Sequence, residues 1–547
     1  MSFQRAEAIT RLRSEDTFDV LVIGGGITGV GCALDAATRG LKVALVERHD
    51  FSAGTSSKSS KLVHGGLRYL QQKEFRLVYE ALAERQILRH TAPHIVRILP
   101  FLLPVFKGKD NLFDKRIARI VGTSMWLYDV TGGARIRKLH KKISADEARV
   151  HIPTLRADRI AYGYLYYDAR ADDSRLTVTI ARTAAERGAT LANYVNVTGM
   201  RKEHGKCIGV TVQADGETFD INARVVINAT GVWSDDVRAL DEGSHPNSIR
   251  PAKGMHITVP WSKVRNDIAA VVPVPKDRRS VFVVPWGDDG NGKPQFTYIG
   301  TTDTDYSGSI DDPQCTPEDI EYCLRAVNHS CDADLTQADV LGTWAGLRPL
   351  VNAKSGRTAD LSRRHSIRRS ASGVVSVNGG KLTTYRIMAK DAVNDACQQL
   401  GTKAKSTTKT VRLIGAEGWD ESSLSDHLRS RYGSTGAAVM ALAAADATLN
   451  EPLVPGLPYL KAEAVFAVRH EMARTLDDVL SRRTRARLLA RDDSAAAAPG
   501  VAELIGAELG WSHDQIATAV VEYRASVDHE RLSAELPLSD LEAHLEL

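Results

Sequence analysis

The chain has 547 residues, long enough for three or four domains around more than one core and far too long for a small stapled scaffold. With 43% hydrophobic and 25% charged residues, 42 Gly and 19 Pro, it has the composition of a globular protein, which excludes disordered, collagen-like and coiled-coil classes. Its 71 basic and 67 acidic residues leave a formal net charge of +4, too near balance for a chain-wide nucleic-acid binder, so any anionic partner has to be met locally.

Residues 1–15 are charged and lack the apolar stretch of a secretory signal, and no run reaches the roughly 18 apolar residues of a membrane-spanning helix. The expected location is the cytoplasm, free or peripheral on the inner face of the cell membrane. Cys32, Cys207, Cys315, Cys323, Cys331 and Cys397 show no C-x-x-C spacing and no metal-type cluster, and read as reduced packing thiols.

Residues 18–23 (FDVLVI) form a β-branched apolar run that stops at Gly24-Gly25-Gly26-Ile27-Thr28-Gly29. Gly24, Gly26 and Gly29 take the G-x-G-x-x-G spacing, in which one glycine permits the strand-to-helix turn, one lets a pyrophosphate approach the backbone and one lets helix and strand pack closely. Residues 30–39 read as a helix closed by Gly40, and 42–46 as a second strand ending at Glu47, near the offset at which a carboxylate can hold a ribose diol. Strand, turn, helix, strand and acid occur in the order of a dinucleotide-binding unit. The motif alone does not separate FAD from NAD.

Residues 55–69 (TSSKSSKLVHGGLRY) are dense in hydroxyls and run into a glycine pair, which suits a chain laid along a phosphate and polyol, or a solvated Ser-rich loop. Residues 74–90 place Phe75, Val78, Tyr79 and Leu82 at helical spacing, an amphipathic packing helix. Apolar runs over 101–130 are interleaved with Lys107, Lys109, Lys115, Arg116 and Arg119, and Arg135, Arg137, Lys138, Lys141 and Lys142 follow. Such a surface can lie on anionic lipid or be a solvated charged face.

Residues 168–187 read as a helix entered through Asp172-Asp173-Ser174, 191–197 as a strand leading to a hairpin through Gly205 and Gly209, and 224–228 (RVVIN) as a buried strand returning to the cofactor. From 251 to 345 the pattern alternates as in an antiparallel sheet. A helix at 387–400 precedes a polar linker at 401–410, and the remainder is helical apart from 491–500 (RDDSAAAAPG), expected as an exposed loop. Gly380-Lys381 is not a Walker A loop and His470-Glu471 lacks the second His of a zinc helix.

The glycine turn, Lys61-Leu62-Val63-His64-Gly65-Gly66-Leu67-Arg68-Tyr69, Asn228-Ala229-Thr230-Gly231-Val232-Trp233, Lys253-Gly254-Met255-His256, Gly346-Leu347-Arg348-Pro349-Leu350 and Gly379-Gly380-Lys381-Leu382-Thr383-Thr384-Tyr385-Arg386 together resemble, in order, the FAD-dependent glycerol-3-phosphate dehydrogenase family. The resemblance spans nearly the whole chain and extends to a helical C-terminal domain with Val468-Arg469-His470-Glu471 and 477–484. It implies oxidation of sn-glycerol 3-phosphate to dihydroxyacetone phosphate, with non-covalent FAD, a quinone as electron acceptor and contact with a membrane surface. A homodimer is compatible with it, and nucleic acid is not an expected partner.

As cofactor residues the resemblance implies Gly24, Gly26, Gly29, Glu47, Thr55, Ser57, Ser59, Ser60, Leu62, His64, Val197, Thr230, Gly231, Gly380, Lys381, Leu382 and Thr383. A phosphate dianion calls for forked cations, because Arg presents two parallel donors and cannot lose its proton. Arg68, Arg348 and Arg363 match the substrate-binding arginines, with Arg364 as the alternative to Arg363, and Lys253 joins them. Alcohol oxidation also needs a proton acceptor, for which His64 is the first candidate and His256 the second, with Arg348 beside them at the reacting centre. Lys381 and Thr383 are placed at the flavin pyrimidine edge or ribityl chain, where a cation favours the anionic reduced ring.

The expected fold class is α/β, a Rossmann-like FAD-binding domain with an antiparallel-sheet substrate domain and a helical C-terminal domain. In chain order the expected division is 1–75, 171–250 and 346–400 for the FAD domain, 76–170 for a helical or loop insertion with a membrane-facing surface, 251–345 for the substrate sheet and 401–547 for the helical domain. Alternatives are an oxygen-using glycerophosphate oxidase, an amino-acid or sarcosine-type flavin oxidase, and a flavin-binding RNA-modification or scaffold protein. The last is disfavoured by the absence of aromatic residues among the C-terminal arginines.

Overall fold

The computed structural model describes residues 3–66, 74–107, 138–277, 279–287, 292–351, 365–421 and 423–545. Arg68, Arg363 and Arg364 lie outside these residues, as do Lys109 through Arg137 of the basic stretch.

Two sheets organise the chain. The first has the order Ser366–Arg369, Val375–Asn378, Glu217–Asn228, Phe18–Ile23, Val43–Val46, Thr190–Ala192. Its central strands are parallel, with Val20 beside both Val43 and Val225, and VALV is buried throughout, as expected of strands covered on both faces. The helices Ile27–Thr38, Asp173–Glu186 and Tyr385–Leu400 cover it. Glu217–Asn228 serves two partners. Its first half pairs antiparallel with Lys206–Ala214, the second strand of the predicted hairpin, and its second half runs parallel to Phe18–Ile23.

The second sheet has the order Thr304–Asp305, Ile249–Pro260, Phe296–Gly300, Ser280–Trp286, Ala269–Pro273, Arg97–Phe106, Ile160–Arg170, Leu62–Val63. Gly342–Val351 pairs with Ile249–Pro260, and Lys141–Ser144 with Ile160–Arg170. The part of the chain expected as a helical or loop insertion thus supplies three strands to the substrate sheet. Pairing of Arg97–Phe106 with Ile160–Arg170 joins segments some 60 residues apart, which local periodicity does not reveal. The helix Phe75–Thr91 forms where its spacing placed it.

The C-terminal region is helical. Residues 491–500 are not an exposed loop but open the helix Arg491–Leu509, with Arg491, Ser494 and Ala498 buried. Alanine is the best helix former, and its small side chain allows close packing against the helix His513–Ser533. Pro499 inside the helix removes the amide that would bond to Ala495, and Arg524 Nε donates to that carbonyl instead at 3.1 Å. Among the described residues no helix is long and apolar enough to cross a membrane.

Candidate active site

The strand Phe18–Ile23 ends at Gly24, whose φ of +107° suits glycine and whose Cβ, if present, would lie 2.8 Å from the Ala229 carbonyl oxygen. A Cβ on Gly29 would overlap the Gly24 carbonyl, so Gly29 serves packing and does not line the cleft. The helix Ile27–Thr38 presents its N-terminus there, and Ile27 N–H donates to Ser56 Oγ at 2.9 Å. A helix N-terminus beside open backbone is a site for pyrophosphate.

A cleft lies over this turn. Gly24, Gly26, Glu47 and Thr55 line it, as do Val197, Thr230 and Gly231 and, from the returning segment, Gly380, Lys381 and Leu382. Glu47 is held in place: its two carboxylate oxygens accept from Gly25 N–H at 2.6 Å and His49 N–H at 2.8 Å, while burial raises its pKa. Thr230 Oγ donates to Asn228 Oδ1 at 2.7 Å, fixing the turn at the end of the third parallel strand.

Ser57, Ser59, Ser60, Leu62, His64 and Thr383 continue from this cleft without lining it. The tertiary fold brings His64 and Thr383 together across 319 residues, with His64 N–H donating to Thr383 Oγ1 at 3.2 Å, and the His64 ring lies edge-on to Phe282 at 6.1 Å. Ser60 Oγ meets His256 Nε2 at 2.9 Å, and the Ser60 carbonyl accepts from Tyr298 Oη at 2.9 Å.

The substrate sheet divides the predicted cations by face. Gly254, His256, Trp344 and Arg348 share one side, because Gly254 pairs with Gly346 and His256 with Trp344, and side chains alternate along a strand. Lys253 therefore points to the other side, where Asp319 Oδ2 lies 2.6 Å from its Nζ and the Gln314 carbonyl accepts from it at 3.2 Å. The expected substrate contact by Lys253 does not join Arg348. The Arg348 guanidinium meets Asp303 Oδ1, Thr301 Oγ1 and the Thr302 carbonyl, each at 3.2 Å.

His256 is buried, stacked on Trp344 at 4.8 Å and 9°, and burial with the charges of Lys61 and Arg348 pushes its pKa well below the ordinary imidazole value. It is a neutral ring that holds Ser60. Sequence reasoning missed Lys61, whose buried ammonium is lowered by burial to about 8 and bridges Asp173 Oδ1 and the Ser57 carbonyl at 3.1 and 3.2 Å. A lysine amid serines carried no signal for this, since its partner lies 112 residues away.

The glycine cradle at Gly24, the helix N-terminus, the fixed acid at Glu47 and the Lys381 segment at the far wall fit FAD. The family described as FAD dependent oxidoreductase matches residues 19–394, and the C-terminal domain of alpha-glycerophosphate oxidase matches 400–516. The chain is 41% identical over 553 residues to Glycerol-3-phosphate dehydrogenase 2 of Mycobacterium tuberculosis, covering 98% of this chain and 92% of that relative. It is 37% identical to the mitochondrial glycerol-3-phosphate dehydrogenase of Homo sapiens, over 94% of this chain and 74% of that relative. The structure of the glycerol-3-phosphate dehydrogenase from Bacillus halodurans complexed with FAD aligns with a TM-score of 0.76 at 31% identity, covering 98% of both chains. The chain belongs to the FAD-dependent glycerol-3-phosphate dehydrogenase family.

Proposed function

We propose that this protein oxidises sn-glycerol 3-phosphate to dihydroxyacetone phosphate and delivers the electrons to a quinone. The observation that carries the substrate is likeness over nearly the full chain to relatives named for this reaction, with the Arg348 guanidinium on the same sheet face as the Ser60–His256 contact. Gly24, Gly26, Glu47, Thr230, Gly380 and Lys381 would hold FAD, which when bound would supply the acceptor for the hydride at C2. Arg348, oriented by Asp303 and Thr301, grips the phosphate, and Arg68 and Arg363 complete the grip. His64 takes the hydroxyl proton, and Thr383, bonded to its backbone, keeps it near the cofactor. His256 orients Ser60 rather than moving a proton.

Purified holoenzyme should be yellow and bleach anaerobically on adding glycerol 3-phosphate; unchanged absorbance would refute the substrate. A second reading, oxygen as acceptor, is favoured by the match of residues 400–516 to the C-terminal domain of alpha-glycerophosphate oxidase. Turnover with a quinone analogue compared with turnover in air decides between them.

Membrane contact is proposed for the strands Lys141–Ser144 and Ile160–Arg170. There Lys142 Nζ lies 4.2 Å from the Tyr162 ring centre and Lys138 Nζ 5.0 Å from that of Tyr167, beside exposed Leu139. Lysine, tyrosine and an exposed leucine together suit an anionic headgroup layer.

A further inference from the structure

The segment from Ser57 to Lys61 is held by charged side chains from elsewhere in the chain. Asp173 Oδ2 accepts from Ser59 N–H at 2.9 Å and from Ser59 Oγ at 2.7 Å. Its other oxygen receives Lys61 Nζ and Arg485 Nη2. Arg485 also donates to Asp172 Oδ1 at 2.7 Å and, through Nη1, to the Ser57 carbonyl at 3.4 Å, the same carbonyl that Lys61 reaches. Arg485 belongs to the C-terminal domain, 312 residues from Asp173, and both side chains are fully buried.

A buried carboxylate such as Asp173 stays ionised only while cations compensate it, and removing one partner leaves a charge that its neighbours must move to satisfy, whereas Asp172 keeps Arg431 Nη1 at 3.1 Å. Lys61 is the neighbour. It sits at φ +54°, a conformation rare for lysine, with its ammonium 4.7 Å from the Trp344 ring centre. Loss of Arg485 would draw Lys61 and Ser59 toward Asp173 alone and shift the backbone between them.

We propose that Arg485 is a positioning residue through which the C-terminal domain sets the geometry of the flavin-facing segment from Ser57 to Leu62, acting through Asp173. This rests on the reading that the segment faces the flavin. The helical domain is then a working part of the site rather than a cover over it.

The test uses full-length holoenzyme with Arg485→Met and Arg485→Lys, following amide exchange over 55–64, the flavin visible spectrum, kcat and KM. In Arg485→Met, exchange at 57–61 should rise by about tenfold or more, the spectrum should shift, and kcat should fall about tenfold while KM changes less than about threefold. Arg485→Lys should recover kcat to within about threefold, because the charge remains. Wild-type exchange in Arg485→Met overturns the inference. Raised exchange with an unshifted spectrum and unchanged kcat upholds the tie but overturns the reading of the segment as a flavin contact. If Arg485→Met does not accumulate, Arg485→Gln combined with Ser59→Ala gives a cycle: exchange effects that are non-additive support action through Asp173, and effects that multiply to within about twofold overturn it.

Discussion

Three acceptors set the plane of the Arg348 guanidinium, and the space it occupies exists because residue 254 is glycine. A Cβ there would overlap Arg348 Nη2 and lie 2.6 Å from Thr301 Oγ1. Gly254→Ala should lower kcat/KM for glycerol 3-phosphate about 10²-fold, a loss of roughly 3 kcal/mol, with flavin content unchanged. Steady-state kinetics on yellow protein check this, and a loss under about threefold would mean that the guanidinium position is not decisive. The two histidines separate by pH. His256 is already neutral, so His256→Gln should reduce kcat/KM without moving the acidic limb of its pH profile, whereas His64→Asn should flatten that limb. A limb that moves with His256 would reverse the assignment.

At the level of elements, the helix Lys461–Glu471 carries Glu463 in its first turn, fully buried, with His427 Nε2 at 2.7 Å, Tyr432 Oη at 2.9 Å and Leu460 N–H at 3.0 Å. Burial alone would raise its pKa, but His427, Arg431 and the Leu460 amide hold it down to about 2. The folded value lies below the unfolded value of about 4.3, so the stabilisation is complete above that pH and is lost as pH falls from about 4.3 toward 2. Thermal unfolding of Glu463→Gln should begin from a lower midpoint at pH 6 and fall less steeply than the parent through this acid window. Parallel curves would remove Glu463 from the acid response. The helix Arg491–Leu509 shows the same principle in its backbone: its internal proline is tolerated because Arg524 takes over the stranded carbonyl.

Across the whole molecule, the two sheets meet where 55–64 passes from the glycine turn to the edge of the substrate sheet, and the C-terminal helices close over that passage. The same substrate sheet carries the Lys142–Tyr162 contact, which gives a membrane prediction. Lys142→Glu, which reverses the charge over Tyr162, should weaken co-sedimentation with anionic vesicles by about tenfold, since one lysine contributes on the order of 1 kcal/mol and the carboxylate adds repulsion, and should leave neutral vesicles unaffected. Equal loss with both vesicle types would place the contact elsewhere. The cofactor turn was legible because its signal is contiguous: an apolar strand, glycines at 24, 26 and 29, a helix and Glu47 all fall within 30 residues. The expectation of C-terminal helices held for similar reasons, since their periodicity is local. What the linear pattern could not decide was which strands pair and which charges meet. Lys253 was expected at the substrate and is paired with Asp319, because a two-residue period turns it away from Arg348; Lys61 had no assigned role, Arg485 figured only among the arginines of the disfavoured nucleic-acid alternative, and the two converge on Asp173. Local sequence determined the first strand, the glycine turn and the helix that follows it, since turns and helices are short-range. Only the tertiary structure decided which ions are paired, since those contacts join residues separated by up to hundreds of positions and depend on the face each strand presents.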